Sequence, residues 1–339
     1  MAEKIEVNPN APAFTKQIDL AQEKLGGKTL MCTDDFFAPM TWLIKPGRGT
    51  FYQGKFTEYG QYMEGWESRR KRVPGHDWCI IKLGASGVIN GLDIDTNHFL
   101  GNHPPHASVE AICIDEKISN QDLAEHEGWE EILPKSPLEP GSQHFFDIDS
   151  NKRYTHVKLH IYTDGGVARL RVYGEVYKNW DEVADGEVID LAAALNGGKA
   201  VLCNDMFFSH MGNIIMPGRG VNMGDGWETK RNRTPNNFDW VVIKLAKEGT
   251  IKKATIDTAH FKGNFPHQAS LEGVNISDDS ELKNAKWETI LPKMFLKADA
   301  EHHFEKEILS GSKTYTHVRI SIYPDGGISR LRLFGVAKK

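Results

Sequence analysis

Long blocks of this sequence occur twice, and the spacing of their copies restricts the chain to a pair of similar units. IDLAQEKLGGKTLMCTDDFFA, from Ile18, returns as IDLAAALNGGKAVLCNDMFFS from Ile189, and PGRG at Pro46 returns at Pro217, both 171 residues on. GWESRRKR from Gly65 matches GWETKRNR from Gly226, only 161 residues on, so the first copy holds about ten extra residues between Thr50 and Glu64. IDTNHFLGNHPPHASVE from Ile94 pairs with IDTAHFKGNFPHQASLE from Ile256, and YTHVKLHIYTDGGVARLRVYG from Tyr154 with YTHVRISIYPDGGISRLRLFG from Tyr315. A unit of this length is too long for a solenoid repeat and suits a whole domain. The expected division is an N-terminal extension over 1–17, a first unit over 18–176, a polar linker over 177–187 and a second unit over 188–339.

Within each unit the apolar period is two. Val157, Leu159 and Ile161 fall on one face, with His156, Lys158, His160 and Tyr162 on the other. Thr163-Asp164-Gly165-Gly166 reads as a hairpin turn, after which Leu170 and Val172 point inward and Arg169 and Arg171 outward. His317, like His156, is expected at the surface. WCIIKL, GLDIDT and SVEAICI also read as short strands, and helical periodicity is confined to brief stretches such as Ile18–Leu25. Many short strands with Gly, Pro and Asp turns predict an all-β chain of two tandem β-sandwiches or jelly rolls.

Charge and composition exclude several functions. With 41 basic and 46 acidic residues the formal charge is −5, so nucleic acid and anionic membranes exert no bulk pull, and an anionic ligand must be caught by local arginines. Mean hydropathy is −0.46, and no apolar run approaches the ~20 residues of a membrane span. The first seventeen residues lack the apolar core of a signal peptide. The four cysteines form no C-x-x-C and no zinc or disulfide spacing, which predicts a reduced, cytoplasmic protein. There is no G-x-x-x-x-G-K-[ST], H-E-x-x-H, G-x-S-x-G or G-x-G-x-x-G ahead of a helix.

The chemistry-bearing residues lie in the repeated blocks. GWESRRKR sets Glu67 beside Arg69, Arg70 and Arg72, and its copy sets Glu228 beside Lys230, Arg231 and Arg233. Guanidinium forks hold carboxylates bidentately and a neighbouring glutamate can move a proton, although a charge run of this kind also suits a solvated loop. Because Lys230 replaces Arg69, Arg70 and Arg231 are the expected clamp. In IDTxHFxGN, Asp95 and His98, or Asp257 and His260, are acid/base candidates near a strand end, or else satisfy loop backbone. Glu110 and Glu272 share parity with apolar residues, so each must be paired, protonated or at a site unless the strand begins after it. His98, His103 and His106 suggest a metal, but they align with His260, Phe265 and Gln268, so no metal site is assigned.

The GWE block, IDTxHFxGNxPxxxS-V/L-E and the THV[KR]LxIYPDGGxxRLRxYG block resemble the allantoicase family, over nearly the whole chain from Ile18. The resemblance implies two jelly-roll domains of the galactose-binding-like type, hydrolysis of allantoate to ureidoglycolate and urea, and a soluble oligomer, expected to be a homo-oligomer; no cofactor, nucleic-acid partner or membrane is expected. IYTDGG in the first repeat and Glu64 before its GWE block, where the second repeat has Asp225, are departures that remove no group the reaction needs. For that reaction the expected catalytic set is Glu67, Asp95, His98 and Glu110 with Glu228, Asp257, His260 and Glu272. Arg70, Arg231, Asn102 and Asn264 are expected to bind substrate. Retention of both sets implies two sites per chain, or one composite site. A non-catalytic jelly-roll binding protein and a metal-dependent hydrolase using the first-repeat histidines are the competing classes.

Overall fold

The computed structural model describes residue 8 and residues 10–339. The chain divides into two compact units, Asn10–Tyr177 and Lys178–Lys339. Both are β-sandwiches built from the same strand order, and the described α-helix content is one short segment, Asn120–Glu125.

Each sandwich is organised by one strand of 19 residues, Asp77–Asp95 in the first unit and Asp239–Asp257 in the second. WCIIKL and GLDIDT, expected as separate strands, are its two halves. The first half pairs with Arg153–Tyr162, placing Ile81 opposite Val157 and Cys79 opposite Leu159. The second half pairs with Arg169–Val176, placing Leu92 opposite Val172 and Ile94 opposite Leu170. Register shifts at Tyr154/His156 and at Tyr173/Gly174 mark irregularities that bend the ladder, as bulges do. The inward parity of Val157, Leu159, Ile161, Leu170 and Val172 matches the sequence pattern, and all five are fully buried.

Other local expectations are corrected. Thr163–Gly166 is not a hairpin turn: Arg153–Tyr162 pairs with the long strand and with His106–Ile112, and Gly166–Val167 pairs instead with Trp66–Glu67. Ile18–Leu25 is a two-residue strand followed by a single 3-10 turn, because Ile18 and Asp19 are taken up by pairing with Gly174 and Tyr173. His156 and His317 are buried at 5% and 1% exposure rather than at the surface. The second face of their strand is covered: Lys158 donates to the Ala124 carbonyl of the Asn120–Glu125 helix, and His317 meets Asp279 at 3.2 Å. Burial pushes the His156 imidazole down to about 4. Arg169 is also buried, since Glu64 reaches its guanidinium at 2.8 Å, and Arg171 donates to the carbonyls of Lys45 and Gly47. Ahead of Ile18, Phe14 is buried against Tyr173 and Phe145, at 5.9 and 6.3 Å between ring centroids.

Three repeated motifs meet at one aromatic ring. Phe99, from IDTNHF, lies between Gly65 of the GWE block and Gly166 of the DGG turn; a Cβ on Gly166 would stand 2.0 Å from its ring and one on Gly65 2.7 Å. Phe261 is seated identically, 1.9 Å from the Cβ position of Gly327 and 2.9 Å from that of Gly226. Both rings are fully buried, so neither can move aside in a close-packed interior. Gly166→Ala is therefore expected to cost about 3 kcal/mol of stability through overpacking, measured by denaturant unfolding. A Phe99→Leu/Gly166→Ala double variant should recover part of the loss. An unchanged midpoint in Gly166→Ala would refute the wedge.

Candidate functional site

The Gly–Phe–Gly packing brings a glutamate and an asparagine together at the sandwich rim. Trp66–Glu67 pairs with Gly166–Val167, and Ala38 bridges Glu67 from the other side. Trp66 is fully buried, its indole N–H donating to the Asp34 carbonyl at 2.8 Å, so the pleat turns the next side chain, Glu67, away from the core. Gly166 N–H donates to the Asn102 carbonyl at 2.8 Å, which fixes the Asn102 backbone. The Asn102 amide then donates to Glu67 Oε1 at 2.6 Å. The second repeat reproduces this: Gly327 N–H to the Asn264 carbonyl at 3.0 Å, and the Asn264 amide to Glu228 at 2.6 Å. Burial holds both Glu67 and Glu228 above the ordinary glutamate value, against the opposing pull of the asparagine amide.

Arginines border the same place. Arg69 is bound to Asp34, at 2.7 Å from Nε and 2.5 Å from a terminal nitrogen. Arg70 and Arg231 are exposed and have no hydrogen bond or ion pair among the described residues, so their forks are available to an anion. In the second repeat a cleft of about 520 Å³ is lined by Glu228, Arg231, Arg233, Asn264, Phe265 and Asp325 among others. Asp325 accepts the Asn232 N–H at 2.8 Å and Asp164 accepts the Lys71 N–H at 2.9 Å, so the DGG aspartates anchor the arginine-bearing segments. Sequence reasoning missed these two aspartates; their signal was recurrence in both DGG turns.

The remaining sequence candidates are engaged elsewhere. Asp95 is buried and accepts a two-pronged contact from Arg48 at 2.8 and 2.9 Å, and Asp257 receives Arg219 at 3.0 and 3.4 Å. These pairs tie the two PGRG loops to the long strands. His98 and His260 both adopt a left-handed backbone, with φ of 69° and 70°. The His260 ring contacts the Gly220 carbonyl at 2.8 Å, while His98 lies 5.8 Å from the Phe51 ring. Glu110 meets His160 at 2.9 Å and Lys158 at 3.8 Å, and Glu272 is held by Arg319 at 3.0 and 2.6 Å. Pairing thus answers the parity anomaly of both glutamates. Among the described residues no hydrogen bond joins Asp95, His98 or Glu110 to the Glu67–Asn102 pair. Nor is any group of three or more His, Cys, Asp or Glu side chains placed there to share a metal ion.

A chain that repeats this glutamate–asparagine pair in both units has relatives of known name. The allantoicase-repeat family model matches residues 18–177 and 189–338. An allantoicase of Dictyostelium discoideum is 48% identical over 331 residues, 96% of this chain and 89% of that one. A probable allantoicase of Pseudomonas fluorescens is 47% identical, over 97% of this chain and 99% of its own length. The crystal structure of allantoicase from Saccharomyces cerevisiae superposes with a TM-score of 0.79 at 37% identity, covering 95% of this chain and 94% of that one.

The raised glutamates give a stability test. A carboxyl whose folded-state value is raised carries no penalty while both states are protonated, and its full penalty appears once the pH exceeds the folded-state value. Glu67→Gln keeps the acceptor for Asn102 and removes the titration. The variant is expected to gain thermal stability over the parent at pH 8, on the order of 1 kcal/mol, and to gain less at pH 5. A gain that is greater at pH 5, in scanning calorimetry, would contradict the assignment.

Proposed function

The chain belongs to the allantoicase family and hydrolyses allantoate, in purine catabolism, to ureidoglycolate and urea; on that premise we propose that allantoate binds in the Glu–Asn–Arg cleft of each repeat. The carrying observation is a half-buried, amide-held glutamate beside an arginine that has no protein partner. Allantoate places one carboxylate and two ureido groups on a single carbon. Arg70, or Arg231, grips the carboxylate with its fork, as suits a planar, permanently charged donor. Glu67 and Asn102, or Glu228 and Asn264, face the ureido N–H and carbonyl groups.

Cleaving one C–N bond requires a proton on the departing nitrogen. The glutamate suits that role, because burial keeps its carboxyl protonated to higher pH than an exposed one. Asp95 and Asp257 act at one remove in this reading, holding Arg48 and Arg219, while His98 and His260 shape the adjoining turns. Glu110 and Glu272 are ion-pair partners on the flanking strand. No described helix is long and apolar enough to cross a membrane. Four cysteines outside any disulfide support placing the protein in the reducing cytoplasm.

Urea release from allantoate by the purified protein tests the activity. Arg70→Lys keeps the charge but loses the fork, so KM for allantoate should rise about ten- to a hundredfold with little change in melting temperature. Arg231→Lys should weaken allantoate binding at the second cleft by a similar factor, read by titration calorimetry. If neither substitution changes KM or binding, the clefts are not where allantoate sits.

A further inference from the structure

The two repeats share their glutamate, asparagine and arginine but differ in the imidazoles around them. Phe265 lines the second cleft, directly after Asn264, and the first repeat has His103 at that position. Phenylalanine meets the packing demand there, so an imidazole is not required by the fold. His103 is anchored against the DGG turn: the Cβ position of Gly165 lies 2.5 Å from the Asn102 carbonyl oxygen and 3.1 Å from the His103 carbonyl carbon. Its side-chain Nδ1 is buried without any hydrogen-bond partner. A polar ring atom left unpaired in a place where an apolar ring serves the homologous unit is a cost that packing does not explain.

A second difference lies beneath the same turn. In the first repeat Glu110, His160 and His76 form a chain, with Glu110 Oε2 to His160 Nε2 at 2.9 Å and His160 Nδ1 to His76 Nε2 at 2.8 Å. His76 stacks on Tyr162, the residue before the turn, at 4.5 Å. The second repeat has Phe238 and Ser321 in place of His76 and His160, and Arg319 neutralises Glu272. The imidazole that does line the second cleft, His267, is exposed on the rim, 5.0 Å from the Phe295 ring, where the first repeat has Pro105.

We propose that His103 is the general base of the reaction and that the first repeat's cleft therefore turns allantoate over, while the second binds the same anion without chemistry. This rests on the placement of allantoate in the clefts. His103 takes the N–H proton of the retained ureido group, whose nitrogen forms C=N with the central carbon. The C–N bond to the departing group breaks with its electron pair going to the departing nitrogen, which takes the Glu67 proton and leaves as urea. Water then adds its oxygen to the central carbon and gives a proton to Glu67, while the imine nitrogen takes back the proton on His103. Both residues are restored and one water is consumed.

The test is His103→Phe, which installs the residue of the second repeat. Independent, equally active clefts would leave about half of kcat, whereas the proposal expects kcat to fall by at least about a hundredfold, the contribution typical of general acid–base catalysis. KM should move little, and calorimetry should still count two allantoate sites per chain. His103→Ala covers the case in which the phenylalanine variant fails to fold, and added imidazole should restore part of its turnover, which a packing role would not allow. Retention of half or more of kcat in a folded variant, or absence of imidazole rescue, overturns the proposal. Unchanged KM and binding in the Arg70 and Arg231 variants would instead remove the cleft reading beneath it.

Discussion

Everything at the rim depends on a contact in which two glycines make room for one phenylalanine. Gly65 and Gly166 hold Phe99, and Gly226 and Gly327 hold Phe261, at separations where no side chain fits. The contact joins three segments distant in sequence, so it fixes the rim by exclusion rather than by any strong bond. Fully burying such a ring contributes a few kcal/mol from desolvation, and more is at stake if the pocket is overfilled. Because Gly166 lies opposite Glu67 and bonds to the Asn102 backbone, the same contact sets the position of the glutamate–asparagine pair. Stability and chemistry therefore share one geometric requirement, which accounts for the recurrence of all three motifs in both units.

Charge is sorted around that requirement by burial. Arginines facing the interior are each given an acidic partner: Arg169 has Glu64 and Arg330 has Asp225, both at 2.8 Å. The difference between Glu64 and Asp225 noted in the sequence is thus a change of reach within one conserved contact. An unpaired charge at such depth would be strongly destabilising, whereas Arg70 and Arg231 at the surface keep their charge in solvent. Asp93 marks the limit of this sorting. It is buried beside Asp95 with one oxygen unpartnered, and burial raises it to about 7. Thr255 occupies its place in the second unit and meets His303 at 3.0 Å instead.

The duplicated units have diverged where the fold allows it. The extra residues of the first copy form a hairpin, Phe51–Thr57 with Gly60–Met63, whose exposed Tyr59 lies 4.6 Å from the Phe36 ring. The buried ion pair between Lys71 and Asp77 gives way in the second unit to amides, Asn204 reaching Asp239 at 2.8 Å. Such exchanges leave strand order and core parity untouched, so each unit keeps its sandwich while the polar groups around its cleft change.

The repeat offsets, the period-two alternation and the recurrence of GWE, IDTxHFxGN and DGG determined by themselves that the chain is two similar all-β units built on shared motifs. They did so because alternation reports which face meets the core, and recurrence reports which residues both copies use. Parity cannot report what covers a strand's other face, so buried His156, His317 and Arg169 looked like surface residues. Nor does sequence say which carboxylates find an arginine. Asp95 and Asp257 read as acid/base candidates but are paired with Arg48 and Arg219, and of the three states open to Glu110 and Glu272 the structure gives pairing, with His160 and Lys158 and with Arg319. Glu67 was legible as a candidate, but its partner Asn102 lies 35 residues away and is brought to it by the Phe99 contact. That association is a property of packing across sheets, which only the tertiary structure decides, because the distances that settle it run between segments that no local pattern connects.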